Sequence, residues 1–234
     1  MKLLTSQSNE QEESHWLSVS DLMAGLMMVF LFIAVALMLK VNQDKQKIQQ
    51  VAVAYQENQV AIYEALMGEF EDDLKTWDAE IDKDSLTFTF KSPEVLFAQG
   101  KSDLTYEYRR LLENFFPRYL DVLWQFKDSI NEVRIEGHTS SLWNGYVTDT
   151  QAYFNNMELS QDRTRSVLSY VYQLAPVADR VGWIKRHLAA VGLSSSRIIS
   201  DASGREDRRA SRRVTFRVIT NAEIQIKKIL EFQQ

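Results

Sequence analysis

One acidic side chain stands at the start of a long apolar segment, where it is well placed to do chemistry. Asp21 precedes eighteen consecutive residues, Leu22 to Leu39, that carry no charged side chain. At about 1.5 Å per helical residue, this run crosses most of a hydrocarbon core about 30 Å thick. A charged carboxylate within a bilayer costs about 2.5 to 3.5 kcal/mol on insertion scales, and such residues face a partner helix or an ion path. Asp21 is therefore predicted to serve in proton or ion translocation.

The residues around Asp21 allow two other interpretations. Asp21 could cap a helix at the level of the lipid headgroups, because Asp and Ser favour helix N-termini. The segment could also be a cleavable signal peptide ending near Ala34-Val35-Ala36, although the preceding residues are acidic where a signal peptide carries positive charge. Ser18, Asp21 and Gly25 share one helical face, and small residues let another helix approach closely. We therefore expect an uncleaved anchor that meets a partner helix.

The composition limits the remaining functional classes. The 234 residues suffice for one compact domain beyond the anchor, and the absence of cysteine excludes disulfides and thiolate metal sites. The net charge of −5 argues against a generally nucleic-acid-binding surface, although six arginines between positions 205 and 217 keep DNA contact open as an alternative. The sequence has no phosphate-binding glycine loop, metal-ligand cluster or nucleophile constellation. We expect no enzymatic activity, no cofactor, no metal and no direct contact with nucleic acid.

A long helix is predicted between the apolar run and the rest of the chain, from Lys40 to about Trp77. Within it Val41, Ile48, Tyr55 and Ile62 recur every seven residues, as in a coiled-coil seam. The same pattern fits a solitary amphipathic stalk that packs on its own domain. The sequence leaves a dimer seam and such a stalk equally open.

Strands alternate with helices between residues 85 and 220, which predicts an α/β sandwich with helices on one face. The predicted elements are strand Leu86–Phe90, helix Leu104–Phe126, strand Val133–Glu136, a polar and aromatic loop Ser140–Asn156, helix Leu159–Leu174 with Ser160 as its N-cap, helix Val181–Val191, strands Arg197–Ser200 and Val214–Ile219, and helix Ala222–Phe232. The fold class is thus α/β, with a single N-terminal transmembrane helix, a helical stalk and a C-terminal sandwich.

Four motifs in this region resemble, in order and roughly in spacing, the OmpA-type peptidoglycan-binding domain. They are Val95–Gly100, Ile135–Thr139, Asn156 with Leu159–Arg163, and Ser211–Val214. An N-terminal span with an acidic residue, a stalk and then such a domain resembles the B subunits of flagellar-type stators. Within that group, the segment Trp16–Phe30 is most similar to the B subunits of Zorya anti-phage defence systems.

The resemblance implies a proton-driven motor or stator B subunit that anchors its complex to peptidoglycan in anti-phage defence. Two copies of the B subunit, a homodimer, would lie inside five A-type (MotA-like) membrane subunits, and the aspartate matching Asp21 would take up and release protons. A flagellar-type stator subunit and a passive single-span cell-wall anchor are the alternatives. Only Asp21 separates the passive anchor from the motor, because an anchor has no use for a costly intramembrane acid.

The resemblance also implies an inner-membrane location with a cytoplasmic N-terminus and a periplasmic C-terminal domain. Lys40, Lys45 and Lys47 follow the span, so a charge count alone would favour the opposite orientation. The expected segments are a cytoplasmic tail (1–15), the transmembrane helix (16–39), the stalk or dimerisation linker (40–78), the OmpA-like domain (79–221) and a C-terminal helix (222–234).

A peptidoglycan-binding site is implied in the C-terminal domain. Arg163 matches the arginine that binds a charged end of diaminopimelate in the peptide stem, and arginine suits bidentate recognition of a carboxylate. The family has an acidic residue where this chain has Ser140, and Asp149 in the following loop is the candidate substitute. Asn156 and Leu159 match positions expected to contact the cell wall.

Overall fold

The first helix of the chain extends far beyond its apolar run. The protein is described by a computed structural model over residues 4–91 and 93–231, and it divides into one unit up to residue 50 and another from residue 51 onward. Helix α1 runs from Leu4 to Thr76, so most of the segment predicted as a tail is helical. The predicted end of the last helix, Phe232, lies outside the described residues.

Helix α1 contains the predicted membrane span. Among the helices of residues 4–91 and 93–231, it is the one that is long and apolar enough to cross a membrane, and its most apolar window has a mean hydropathy of 2.8. All side chains from Leu22 to Leu39 are exposed within this chain. Such a helix is stable where lipid or partner helices replace water around it. A long N-terminal apolar helix of membrane-spanning length, followed by an α/β domain, is therefore the architecture, as predicted.

The second unit is built on one five-stranded sheet. Its strands are β1 (Ala79–Asp82), β2 (Thr87–Phe90), β3 (Ile130–His138), β4 (Leu188–Gly192) and β5 (Arg213–Thr220). Their order across the sheet is β1-β2-β5-β3-β4. Strand β3 pairs antiparallel with β5 and parallel with β4, so the sheet is mixed.

Residues 4–91 and 93–231 contain six further helices, of which five lie between strands and the last follows β5. They are α2 (Pro93–Leu96), α3 (Tyr106–Trp124), α4 (Asp149–Tyr172), α5 (Val181–His187), α6 (Arg208–Ser211) and α7 (Asn221–Glu231), with a short 3-10 helix at Ala175–Arg180. Thr105 caps α3 by accepting a hydrogen bond from the backbone N–H of Tyr108. Such a cap satisfies a helix donor that would otherwise lack a partner.

Aromatic side chains form the centre of the core on one face of the sheet. Phe115 of α3 lies 4.7 Å from Phe88 of β2, 5.1 Å from Phe216 of β5 and 5.4 Å from Phe70 of α1, measured between ring centroids. Aromatic pairs at these distances contribute about 0.5 to 1.5 kcal/mol each beyond the burial of their area. They hold α3 and the C-terminal part of α1 on the same face, as predicted for the sandwich.

The seven-residue repeat of the stalk divides into a packed part and an exposed part. Ile62 is fully buried with Leu66 and Phe70 in the core, whereas 66% of Val41 and 38% of Ile48 are exposed. The C-terminal end of the repeat therefore packs on the chain's own domain. Only its N-terminal part remains available to a dimer seam.

Helix α4 begins ten residues earlier than predicted. Thr148 accepts a hydrogen bond from the backbone of Gln151, and the Gln151 side chain accepts one from the backbone of Thr148, which is a capping box. The predicted loop Ser140–Asn156 is therefore helical from Asp149 onward. The prediction of Ser160 as the N-cap is wrong, because Ser160 is fully buried in the middle of α4.

Two other predicted elements are wrong. The helix predicted over Val181–Val191 ends at His187, and the next five residues form β4, because an apolar run this short fits a helix or a buried strand equally well. The segment Arg197–Ser200 is not a strand; of it, only Ser200 forms an isolated bridge, with Glu206. Strand β1 was not predicted, since its sequence Ala-Glu-Ile-Asp at the sheet edge is half charged.

Helix α4 lies directly on the backbone of β3 and β4. A Cβ atom at Gly137 would be 2.7 Å from the carbonyl oxygen of Ser160 and 2.8 Å from Cγ2 of Thr164. A Cβ atom at Gly192 would be 2.8 Å from the hydroxyl of Ser160. Both positions therefore need glycine for the helix to approach this closely, and this approach sets the position of α4 over the end of β3.

Replacing Gly137 by alanine should lower the free energy of unfolding by about 1 to 3 kcal/mol, the usual cost of overpacking, because α4 must shift. Urea unfolding of the full chain in detergent micelles measures the change. Gly145→Ala is the matched control, since no atom lies within 4 Å of the added Cβ, and it should change stability by less than about 0.5 kcal/mol. Equal effects of the two substitutions would contradict the close approach.

Candidate ligand-binding cleft

A cleft of about 660 Å³ opens where the C-terminal end of β3 meets α4. Its lining comes from segment 97–100, segment 139–144, one face of α4, and Arg212 before β5. The α4 residues in the lining are Asn156, Leu159 and Arg163, which recur at intervals of three and four as residues of one helical face do.

The structure brings four of the five predicted wall-binding residues together. Ser140, Asn156, Leu159 and Arg163 all line the cleft. Asp149, the proposed substitute for the missing acid, is the first residue of α4; it is exposed and is not part of the lining. Asp21 lies in α1 beside the apolar run, in the first unit of the chain.

Arg163 is held in the cleft by neutral groups. Its Nε donates to the carbonyl oxygen of Lys101 at 2.9 Å, and its guanidinium lies 4.8 Å from the ring centroid of Phe97. Burial and then the neighbouring charge of Arg212 lower the pKa of Arg163 to about 10, so it stays protonated at neutral pH. Among the acidic side chains that the structure describes, none forms an ion pair with Arg163. The cleft thus presents a partly desolvated cation, which suits an anionic ligand.

Asn156 holds the wall of the cleft. Its side chain is 3% exposed, and Nδ2 donates to the carbonyl oxygens of Ser140 at 3.2 Å and Leu142 at 3.4 Å. The amide therefore satisfies two backbone acceptors of the loop that follows β3. Asn156 therefore both lines the cleft and positions the loop that follows β3.

Glu206 holds the same loop from the opposite side, and sequence reasoning missed it. Its carboxylate accepts hydrogen bonds from the backbone N–H of Ser141 at 2.8 Å and from the Ser141 hydroxyl. Hydrogen bonds to an ionised group are stronger than neutral ones. These two residues are 65 positions apart, and no local pattern connects them. These hydrogen bonds help to position the wall of the cleft at Ser140.

A buried acid and histidine lie behind the cleft at the end of β3. Oε2 of Glu136 is 3.6 Å from Nε2 of His138 and 3.4 Å from a guanidinium nitrogen of Arg197. Burial alone would raise the pKa of Glu136, but His138 and the charge of Arg197 hold it below its ordinary value. Burial lowers the pKa of His138, and the charge of Arg213 adds to this effect. At neutral pH the pair is an ionised carboxylate beside a neutral imidazole.

The described residues do not contain any cluster of three or more histidine, aspartate or glutamate side chains that could hold a metal ion.

Arg213 donates to the carbonyl oxygen of Arg197 at 3.2 to 3.3 Å and so ties the start of β5 to the preceding loop. Arg212 borders the cleft. At least one arginine of the run thus stabilises the fold of the domain.

Comparison with known proteins identifies the class of this domain. The family model described as the OmpA family matches residues 96–215, which include every residue of the cleft. Over the whole length, the chain is 54% identical to the Zorya protein ZorB of Escherichia coli (strain Crooks), with 95% of this chain and 94% of that protein covered. The chain therefore belongs to the OmpA family and, within it, to the ZorB proteins of Zorya systems, as the sequence motifs predicted.

Several solved structures are similar to part of this chain. A MotB-like protein from Desulfovibrio vulgaris is 24% identical with a TM-score of 0.48, covering 69% of this chain and 91% of that one. The cell wall anchor of the type VI secretion system from Pseudomonas aeruginosa is 23% identical with a TM-score of 0.45, covering 67% and 97%. The periplasmic domain of Helicobacter pylori MotB is 16% identical with a TM-score of 0.42, covering 66% and 90%.

Acidification should weaken the domain through His138. Its pKa in the folded state lies below that of the unfolded chain, about 6.5, so folded protein binds fewer protons. This contribution is complete above pH 6.5 and is lost as the pH falls through the lower, folded pKa. Urea midpoints of the full chain between pH 8 and pH 5 measure the effect. His138→Gln should flatten the dependence in this window; a variant that loses stability as steeply as the wild type would contradict the assignment.

Proposed function

We propose that this protein is the wall-anchoring B subunit of an ion-driven membrane motor that acts in anti-phage defence. The observation that carries the proposal is the combination, in one chain, of a long helix whose apolar run begins directly after Asp21 and an OmpA-family domain with a cleft that contains Arg163. The 54% identity to ZorB over nearly the whole chain supports the defence system over a flagellar motor.

The cleft is the proposed peptidoglycan-binding site. Peptide stems carry carboxylates, and Arg163 offers a guanidinium that is already desolvated on one side and oriented by Lys101 and Phe97. A preorganised arginine loses little conformational freedom when it binds a carboxylate. Leu159 and the neighbouring apolar side chains of the lining would cover the uncharged part of the stem.

The membrane helix is the proposed ion-translocating element. We place the N-terminus in the cytoplasm and the second unit in the periplasm, because a peptidoglycan-binding domain must face the wall. Two copies would lie within a ring of five A-type (MotA-like) subunits that cover the exposed side chains of residues 22–39. A proton moving through a potential of 100 mV releases about 2.3 kcal/mol. Alternate protonation of Asp21 would couple this energy to movement of the ring around the wall-anchored pair.

A passive wall anchor is the second candidate, and Asp21 argues against it. Within the described part of the chain, no basic side chain pairs with this carboxylate, and it adjoins the exposed apolar run. An anchor could replace Asp21 by an apolar residue and gain stability in the membrane. An ion-driven motor explains the carboxylate at position 21, because the motor needs a group that takes up and releases protons.

Arg163→Ala should weaken binding of the full chain to purified peptidoglycan sacculi by at least about tenfold, since charge-assisted hydrogen bonds contribute about 1.5 to 3 kcal/mol each. Cosedimentation in detergent measures the affinity. The control is Arg165→Ala, two residues further along α4, whose side chain is 76% exposed and pairs with Asp162. If the Arg163→Ala protein sediments with sacculi as the wild type does, the cleft is not the peptidoglycan-binding site.

Asp21→Asn should abolish protection against phage while leaving the complex assembled, because the amide is nearly isosteric but cannot carry a proton. Plaque formation by a phage panel on cells carrying the intact gene neighbourhood measures protection, with membrane levels of the protein checked. The plaque count should rise to that of cells without the system. Asp44→Asn, the same change on α1 beyond the apolar run, should protect fully. Full protection by Asp21→Asn would favour the passive anchor.

A further inference from the structure

The segment 139–144 forms one wall of the cleft and lies between β3 and α4, outside both elements. Five of the thirteen lining residues belong to this segment. Its last part has little packing to hold it, because Leu142 and Asn144 are exposed and Trp143 is half-buried. The width of the cleft therefore depends on the hydrogen bonds that hold the segment to the rest of the domain.

Buried hydrogen bonds hold the beginning of the segment. The N–H of Thr139 donates to the carbonyl oxygen of Ser194 at 2.9 Å. Ser194 is fully buried in the left-handed region, with a φ of 51°, and its hydroxyl donates to the carbonyl oxygen of Tyr153 at 2.7 Å. A non-glycine residue keeps such a conformation where the surrounding contacts over-determine it. These contacts are part of the packing of α4 on the sheet, so their loss would disturb the whole domain.

One carboxylate holds the exposed part of the same segment. Glu206 accepts hydrogen bonds from the backbone N–H of Ser141 at 2.8 Å and from the Ser141 hydroxyl. Ser141 is exposed, so this contact lies at the surface of the domain. Glu206 is not part of the cleft lining. Its effect on a ligand must therefore pass through the segment that it holds or through its charge.

The backbone around Glu206 is itself held in place. Glu206 forms an isolated antiparallel bridge with Ser200, and the N–H of Asp207 donates to the carbonyl oxygen of Ile199 at 2.7 Å. The chain reverses between them at Gly204, whose φ of 78° is a conformation that glycine adopts without steric cost. Residues 199–207 are thus a cross-linked loop that presents the carboxylate to Ser141 from a fixed position.

We propose that Glu206 is a positioning residue for peptidoglycan binding, which keeps the segment 139–144 at the distance from α4 that the ligand requires. This inference rests on the proposed function and adds to it a residue that does not contact the ligand. Position and charge have opposite effects here. Through charge alone, a carboxylate beside the cleft repels an anionic ligand, so its removal would strengthen binding. Through position, its removal frees Ser141 and weakens binding.

Glu206→Ala should weaken binding of the full chain to purified peptidoglycan sacculi about fivefold, the effect of one lost hydrogen bond of ordinary strength. Glu206→Gln keeps an acceptor for the N–H of Ser141, so its affinity should lie between those of the wild type and Glu206→Ala. Cosedimentation in detergent measures the dissociation constants. The control is Glu158→Ala, which removes the same charge from an exposed position of α4 and should bind at least as tightly as the wild type. Wild-type or tighter binding by Glu206→Ala would overturn the inference.

Hydrogen exchange separates positioning from a general loss of stability. In Glu206→Ala the N–H of Ser141 should exchange at least about tenfold faster, because it has lost its acceptor. The amides of β3 and α4 should keep their wild-type rates. Faster exchange throughout β3 and α4 would overturn the inference, since Glu206 would then stabilise the domain as a whole.

A double-mutant cycle tests whether Glu206 acts through Ser141. Ser141→Ala removes the hydroxyl and keeps the backbone N–H. When it is combined with Glu206→Ala, the double variant should bind sacculi no more weakly than Glu206→Ala alone, because both changes affect one contact. Independent losses that multiply in the double variant would contradict the proposed route.

Failure of this inference is distinguishable from failure of the proposed function. If the wild type sediments with sacculi and Glu206→Ala sediments equally well, only the positioning role of Glu206 is overturned. If the wild type does not sediment with sacculi, the wall-anchoring function is wrong, and this inference is wrong with it.

Discussion

The cleft depends on the direct contact between helix α4 and the backbone of β3 and β4. Gly137 and Gly192 remove the side chains that would hold the helix away, and the hydroxyl of Ser160 accepts a hydrogen bond from the N–H of Ser194 at 3.1 Å. The side-chain oxygen of Gln161 accepts one from the N–H of Gly192 at 2.8 Å. These contacts fix both the rotation of α4 about its own axis and its distance from the sheet. Because Arg163 is three residues beyond Ser160, its place beside the end of β3 follows from this docking.

The buried charges on the two sides of the contact between α4 and the sheet differ in whether other side chains of the domain compensate them. Behind the wall, Glu136 is compensated by His138 and Arg197, so its ionisation stabilises the fold above its lowered pKa. In the cleft, Arg163 is partly desolvated but receives only carbonyl oxygens and an aromatic ring. The domain thus tolerates an incompletely neutralised cation where a ligand can enter and neutralises its buried acid where none can. Binding sites often store such unfavourable electrostatics, since the ligand relieves them.

Much of this arrangement was predictable from short motifs, because their order and rough spacing resemble those of the OmpA-type domain. Asn156, Leu159 and Arg163 were grouped with Ser140 through the resemblance of the motifs to the OmpA-type domain, whereas their common helical face was not predicted, because Asn156 was expected to lie in a loop. The early start of α4 was missed although the pair Thr148 and Gln151 is a recognisable capping box. Strand β4 was missed because its five residues become a strand only through parallel pairing with β3. The tie between Glu206 and Ser141 spans 65 positions, and no single-sequence pattern reports such a contact.

The two residues to which we assign the proposed functions, Asp21 and Arg163, share one physical property despite their different surroundings. Asp21 is a carboxylate beside an apolar run, and Arg163 is a guanidinium in a cleft whose described lining contains no acid. Neither forms an ion pair within the described parts of its own unit, and both charges cost free energy until another molecule supplies the counterpart. For Asp21 the proposed counterpart is a proton or an A-type helix, and for Arg163 a wall carboxylate. Both charges are thus explained by the proposed function, in which the chain acts between an A-type membrane subunit and the cell wall.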